Sequence, residues 1–370
     1  MLSGQATPEG SARYRDRFPQ LRDAANFRHL PPNAGQLWLS SIGLGTYLGE
    51  PDDATDREYT EAIVTALRSG INVLDTAINY RHQRSERNIG QAVKSLAGEL
   101  QRDEIFVATK AGYLSFDGNM PADPRAYFMR EYIEPGFLDP TQLAGGMHCI
   151  APAYLENQID RSRQNLGLET LDLFYLHNPE SQLSDISREA FLDRVRLAFT
   201  LLEDQVKANK ISFYGMATWN GFRVPDTARD YLDLFAIAAI AEEAGGKNHH
   251  FRFLQAPFNL AMPEAYGLPN HGAGKEKMPL LAAANELGIA VMGSATLYQG
   301  RLAHGLPESI KEMLGTKTDS ATAIQFARSA PGITTALIGM GHKEHVEENL
   351  KPAQTPPTGA ERWHKLFRES

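Results

Sequence analysis

"INVLDTAINYRHQRSERNIG", residues 71–90, passes from an apolar run into a cluster of polar side chains and then into helical spacing. Ile71, Val73 and Leu74 do not simply alternate with solvated residues, which is the pattern of a strand covered on both faces. Asp75 marks the end of that strand. "SERNIG" (85–90) reads as the start of a helix, with Ser85 expected as its cap. The stretch is therefore one β-then-α unit, and the question is whether the chain repeats it.

It does. Apolar runs recur at "SSIGLGTYL" (40–48), "INVLDTA" (71–77), "IFVATK" (105–110), "LDLFYLHN" (171–178), "SFYGMAT" (212–218), "FLQAPFN" (253–259), "IAVMGSAT" (289–296) and "ITTALIG" (333–339). Helical spacing fills the intervals at 56–70, 152–167, 188–210, 225–245 and 318–330. In the first of these Tyr59, Ile63, Ala66 and Leu67 share a face, and Gly70 supplies a stop. Eight such units predict an α/β fold of the (β/α)8 TIM-barrel type, with the whole chain, 1–370, read as one domain and a barrel core over about 38–350. The rival, a doubly wound sheet, would carry a glycine-rich phosphate loop after its first strand, and "IGLGTYLGEPDD" is a poor one. Ahead of the barrel, "FRHLPPNAGQLWLSS" predicts a β-hairpin around Pro31–Gly35. A long insertion, 112–151, follows strand three. Its aromatic content predicts a packed excursion over the strand ends, serving either as a substrate lid or as an oligomer contact.

Composition narrows the class of function. The net charge is −8 and no basic cluster stands out, which disfavours nucleic acid or an anionic membrane as partner. No apolar stretch has membrane-spanning length, and the first residues lack an apolar signal core, so a cytoplasmic location is expected. The single cysteine, Cys149, disfavours a thiolate metal site, and with His148 as its sole neighbour no metal is expected. "HGAGKEK" (271–277) reads as a solvated loop. A small molecule remains the expected partner, with a homo-oligomer open.

In barrels of this kind chemistry gathers at the C-terminal ends of the strands. Those ends carry Asp75, Lys110, His177, Thr218 with Asn220, Gln255 with Asn259, and the Ser294–Gly300 turn. Tyr80 lies in the loop after strand two. A phenol with an ordinary pKa near 10 is a poor acid at neutral pH. A neighbouring ammonium, Lys110, would lower it, and Asp75 would anchor that lysine. His177 can orient a carbonyl beside the phenol. Together they form a device for protonating an alkoxide while a hydride arrives at carbon, which requires a cofactor.

At this point the residues reach a family. "GINVLDTAINYRHQRSERNIGQAV" resembles the aldo-keto reductase signature, and "VATK" and "LDLFYLHNPE" resemble its next two catalytic segments. "YGMATWN", "QAPFN" and "ALIGMGHKEHVEENL" resemble the later cofactor segments, so the likeness runs from about 36 to 350. The resemblance implies an NAD(P)(H)-dependent oxidoreductase that interconverts a carbonyl and an alcohol. Tyr80 would be the proton donor, Lys110 and Asp75 its tuners, and His177 the carbonyl-orienting residue. Gln255 matches the residue that holds the nicotinamide carboxamide, and Glu348 and Asn349 match the pair at the adenine end.

Several positions depart from the family pattern. Ala217 and Thr218 replace the usual Ser-Asn, leaving Thr218 and Asn220 as donors toward the carboxamide. Gly293, followed by Ser294, stands where a tyrosine commonly stacks on the nicotinamide, with Tyr298 as a stand-in and Gly300 closing the turn. The 2′-phosphate clamp reads Gly339, Met340 and His345, with Lys343 nearby, which favours NADP(H) over NAD(H) by a small margin. Tyr47, Tyr113 and Trp219 are candidate substrate contacts. Phe116, Tyr127, Phe128 and Tyr132 are candidate walls of a lid. Two other readings compete: a nicotinamide-binding regulatory protein of this fold with little turnover, and a (β/α)8 lyase or isomerase that uses no nicotinamide.

Overall fold

Every apolar run becomes a strand. In the computed structural model, which describes residues 1–274 and 276–367, the pieces around Pro31–Gly35 pair antiparallel as β1 (Phe27–His29) and β2 (Trp38–Ser40). The eight runs follow as β3 (Ile42–Gly45), β4 (Val73–Asp75), β5 (Phe106–Ala111), β6 (Leu171–His177), β7 (Ile211–Ala217), β8 (Phe251–Pro257), β9 (Ala290–Ser294) and β10 (Ile333–Gly339). They pair in parallel in chain order, and β10 returns to β3 to close the barrel.

Side chains along each strand alternate between the lumen and the surrounding helices. Val73, Phe106, Ala108, Leu173, Tyr175, Phe253, Ala290, Met292 and Leu337 fill the lumen. Leu30, Ala34, Leu37 and Leu39 of the hairpin join the same cluster, so the hairpin plugs the N-terminal end of the barrel. The opposite faces pack against the helices in one larger core.

Local chemistry sets the helix ends. Asp52 caps Asp53–Arg68 by accepting from the Thr55 amide at 2.8 Å, and that helix buries Tyr59, Ile63, Ala66 and Leu67. Gly167, left-handed at φ 66°, ends Pro152–Leu166. Gly90 permits Arg84–Ser95 to lie against that second helix, because a Cβ there would fall 2.7 Å from the Leu166 carbonyl oxygen.

Three expectations need correction. Residues 225–233 form turns, and the helix begins only at Leu234, after Asp233 accepts from the Phe235 amide at 2.8 Å. Ser85 is not a cap either: its hydroxyl donates to the Thr46 carbonyl at 2.9 Å, and the helix starts from left-handed Gln83. The stretch 271–277 includes Lys275, which lies outside the described residues. Its first residue, His271, is fully buried and bonded to the Phe222 carbonyl at 2.8 Å, so it is no part of a solvated loop. Among the described residues, no helix is long and apolar enough to cross a membrane.

Candidate active site

The lumen rows explain why four polar side chains meet. Val73 and Asp75 share a row, as do Phe106, Ala108 and Lys110, as do Leu173, Tyr175 and His177, and as do Phe253 and Gln255. Each row is apolar below and changes to one polar residue at its last lumen-facing position. The strand pairing sets His177 beside Ala217 and Ala217 beside Gln255.

Lys110 is 0% exposed, so its ammonium must be fully satisfied within the protein. It donates to Asp75 Oδ2 at 2.7 Å and to the Thr76 carbonyl at 2.7 Å. Gln255 Nε2 donates to Asp75 Oδ1 at 2.7 Å, so both carboxylate oxygens are held. Burial lowers the Lys110 pKa, and Asp75 opposes that shift.

Above the pair lies Tyr80. The Lys110 ammonium is 5.0 Å from the centroid of its ring. The ring meets Tyr47 edge-on at 5.0 Å and His177 edge-on at 5.7 Å. Although the ring keeps some solvent access, burial of the phenol pushes its pKa well up, and the Asp75 carboxylate adds to this. In the resting site the net shift is upward, against the lowering expected from Lys110. The ammonium charge is engaged by Asp75 and lies over the ring, so the resting phenol keeps its proton. His177 is held well below its ordinary pKa by burial, then by Lys110 and His148, and is therefore neutral. Its Nδ1 is buried without a partner.

The turn after Tyr80 is unusual. Arg81, His82 and Gln83 all have positive φ, at 49°, 56° and 72°. Such backbone persists in non-glycine residues only where its surroundings enforce it. Arg81 is buried, donating to Asp56 Oδ1 at 2.6 Å and Asn88 Oδ1 at 2.8 Å, and so is held by neighbouring helices. Glu86 of the signature is also buried: it accepts from Thr109 at 2.6 Å and Asn165 at 2.8 Å, tying β5 to the helix Pro152–Leu166.

The remaining candidates divide. Tyr113 reaches the site, with its ring edge-on to His177 at 5.2 Å and its hydroxyl accepting from Asn178 Nδ2 at 3.2 Å. Tyr47 and Trp219 are exposed, on the loops after β3 and β7. Phe116, Tyr127, Phe128 and Tyr132 turn to one another, with Phe116 stacked on Phe128 at 4.9 Å, and form the interior of the insertion in place of pocket walls.

Thr218 Oγ1 is buried and unpartnered at the end of β7, one residue beyond the Ala217–Gln255 pair. Asn220 is occupied elsewhere, donating to Asp230 Oδ2 at 3.0 Å. Asn259 holds the turn after β9 by donating to the Ala295 carbonyl at 2.9 Å. Gly293 lies at the end of β9, where a Cβ would make ordinary contacts with Phe258 and Ile333 at 3.5 Å. Ser294 ends that strand, and Gly300, left-handed at φ 83°, closes the following turn. Gly339 ends β10, and His345, Glu348 and Asn349 lie on the helix Lys343–Asn349 that follows. His345 packs edge-on to His342 at 5.0 Å, Lys343 is paired with Glu61 at 2.9 Å, and Glu348 accepts from Ser320 at 3.2 Å.

One buried group escaped the sequence reading. Glu180 Oε1 accepts the amides of Trp219 at 2.7 Å, Asn220 at 3.0 Å and Gly221 at 3.4 Å, fixing the loop that follows Thr218. The "NPE" that carries it reads locally as a turn, and nothing in its spacing points to the loop after the neighbouring strand.

Comparison with known proteins agrees with this architecture. The aldo/keto reductase family model matches residues 41–366. An NADH-specific methylglyoxal reductase of Escherichia coli is 28% identical over 159 residues, covering 40% of this chain and 41% of that protein, less than half its length. An uncharacterized oxidoreductase of Bacillus subtilis is 22% identical over 326 residues, covering 86% of this chain and 88% of that protein. Among solved structures, the glycerol dehydrogenase of Gluconobacter oxydans superposes with a TM-score of 0.63 at 17% identity, covering 94% of this chain and 95% of that one. An aldo/keto reductase of Klebsiella pneumoniae in complex with NADP and acetate gives 0.60 at 20% identity, covering 90% and 92%. With the family model spanning nearly all of the barrel, the chain belongs to the aldo/keto reductase family of (β/α)8-barrel oxidoreductases.

Proposed function

We propose that this protein interconverts a small carbonyl compound and its alcohol with a nicotinamide cofactor, using Tyr80 as the proton donor and acceptor. The observation that carries this reading is the satisfied Asp75–Lys110 pair beneath a phenol that retains its proton beside a neutral imidazole. Bound nicotinamide supplies or accepts the hydride at the substrate carbon. Tyr80 gives its proton to the developing alkoxide, and Lys110 stabilises the phenolate left behind. His177, uncharged, orients the carbonyl oxygen toward Tyr80 without competing as an acid.

The cofactor fits the residues present. Thr218 offers an unpartnered buried hydroxyl beside Gln255, whose carboxamide nitrogen is held by Asp75. Ser294, Gly300, Glu348 and Asn349 would hold the rest of the dinucleotide. His345 and Lys343 favour NADP(H) over NAD(H), although Lys343 already pairs with Glu61. Relatives of both kinds exist, the Klebsiella protein with NADP and the Escherichia coli protein described as NADH-specific. A cytoplasmic setting and a small-molecule partner belong to the same proposal.

Titration with NADPH and NADH, followed by quenching of tryptophan fluorescence, tests binding, and a panel of aldehydes, ketones and sugars tests turnover. Tyr80→Phe is expected to bind cofactor within about two-fold of the wild type and to lose roughly 10²–10⁴ in kcat. Failure to bind either nucleotide would sink the redox reading. Binding without turnover, unchanged in Tyr80→Phe, would restore the regulatory reading.

A further inference from the structure

The insertion 112–151 touches the site from two sides. Near its start, the Phe116 carbonyl accepts from Gln83 Nε2 at 2.9 Å, and the Gly118 amide donates to the His82 carbonyl at 2.8 Å. Both contacts grip the left-handed turn that follows Tyr80. Near its end, the fully enclosed ring of His148 donates from Nε2 to the backbone carbonyl of His177 at 2.7 Å.

The tautomer of His148 follows from its neighbours. Gln182 Nε2, a donor, lies 2.7 Å from His148 Nδ1 and 3.0 Å from the His148 carbonyl. Nδ1 must therefore accept, which leaves the proton on Nε2 and aims it at His177. The orientation of the Gln182 amide is fixed in turn, because its oxygen accepts from Arg194, and Arg194 also donates to the Gln142 carbonyl at 2.8 Å. Burial, with the Arg194 charge adding to it, lowers the His148 pKa to about 4, so the ring stays neutral at ordinary pH. The approach is close. A Cβ at Gly112 would fall 2.6 Å from the His177 oxygen and 2.7 Å from His148 Nε2. His148 also packs edge-on against Tyr113 at 4.9 Å, and Tyr113 packs on His177.

From this geometry we infer that the insertion is a positioning clamp rather than a lid, with His148 as the positioning residue that sets His177 against Tyr80 through the chain Arg194–Gln182–His148–His177. The inference rests on the redox reading above for its kinetic consequence. The two groups it spaces must meet at one carbonyl oxygen, and an error of about 1 Å in such an arrangement costs on the order of 100-fold. The oligomer-contact reading of the insertion does not require these internal bonds.

The test compares His148→Phe, which lacks the donor, with His148→Gln, whose amide nitrogen reaches nearly as far as Nε2. Single-turnover hydride transfer is measured alongside cofactor Kd and the 15N resonances of the His177 imidazole. His148→Phe is expected to lose about 10–100-fold in the rate, with Kd within two-fold and the His177 resonances displaced. His148→Gln is expected to recover most of the rate and the native resonances. Should His148→Phe fail to fold, Arg194→Met frees the Gln182 amide to turn and is expected to give a smaller loss in the same direction. A rate within two-fold of wild type in either of these disruptive variants, or equal losses in Phe and Gln, overturns the clamp. If the wild type proves inert with carbonyls, the redox reading fails, and the His177 resonances still decide the clamp.

Discussion

At the scale of single residues, Lys110 is tightly constrained. It is enclosed, and removing its partner strands a charge in the lumen. Lys110→Met is expected to cost about 3–5 kcal/mol, because Asp75 is then left as a buried carboxylate with Gln255 alone beside it. The double variant Lys110→Met/Asp75→Leu should recover much of that loss while remaining inactive. Urea denaturation of the three proteins checks this, and equal midpoints for the single and double variants would show that the pair carries no such penalty. Asp75, Lys110 and His177 were legible in the sequence because each ends an apolar row, where alternation fixes the direction of the side chain. Glu180 and His148 were not. Their partners lie on other loops, and no local spacing records which loops meet above a barrel.

At the scale of elements, the left-handed turn 81–83 shows strain enforced by its neighbours. Each such non-glycine residue costs roughly 1–2 kcal/mol. The His82 ring makes a tilted contact with Phe116 at 5.6 Å and anchors nothing else. His82→Gly should therefore raise stability by up to about 1 kcal/mol, once the entropy cost of glycine is subtracted, with kcat nearly unchanged. Arg81→Gly relieves the same strain but loses the bonds to Asp56 and Asn88, and should destabilise. Thermal unfolding of the two variants separates them; a shift of the same sign in both would argue against the account. Caps were only partly readable. Asp52 behaves as its type suggests, whereas Ser85 is drawn to the Thr46 carbonyl by a tertiary contact that overrides local preference. The shortened helix at 234 has the same origin, since the Arg188 side chain donates to the Tyr231 carbonyl at 2.6 Å and holds the preceding turns.

At the scale of the whole molecule, the two ends of the barrel do different work. The floor carries Glu203, which accepts from Tyr214 at 2.9 Å and from the His250 amide at 2.7 Å and ring at 2.9 Å. Burial alone would push this carboxyl up, but the hydrogen bonds outweigh it and the pKa falls below its ordinary value. Its contribution is therefore full above the unfolded carboxyl's pKa, roughly 4.3, and is lost as pH drops through the lower folded value. The gap in Tm between wild type and Glu203→Gln should be widest near pH 6 and shrink as pH falls below about 4. A constant gap across that range would contradict it. The barrel itself was the most legible feature, because eight apolar runs at regular intervals admit few closed arrangements. The insertion's path was the least legible, since its aromatic residues satisfy one another and leave no outward periodicity.

The hairpin plug has a consequence for proton traffic. With Leu30, Ala34, Leu37 and Leu39 packed into the base of the lumen, the interior is a blind shaft. Under the proposed mechanism, a proton that leaves Tyr80 is then replaced from the mouth, the side on which substrate and product would stand. By the same mechanism, reprotonation of the phenol is thereby ordered after product departure, so a solvent isotope effect on turnover should shrink as a bulkier product leaves more slowly and its departure comes to limit the rate.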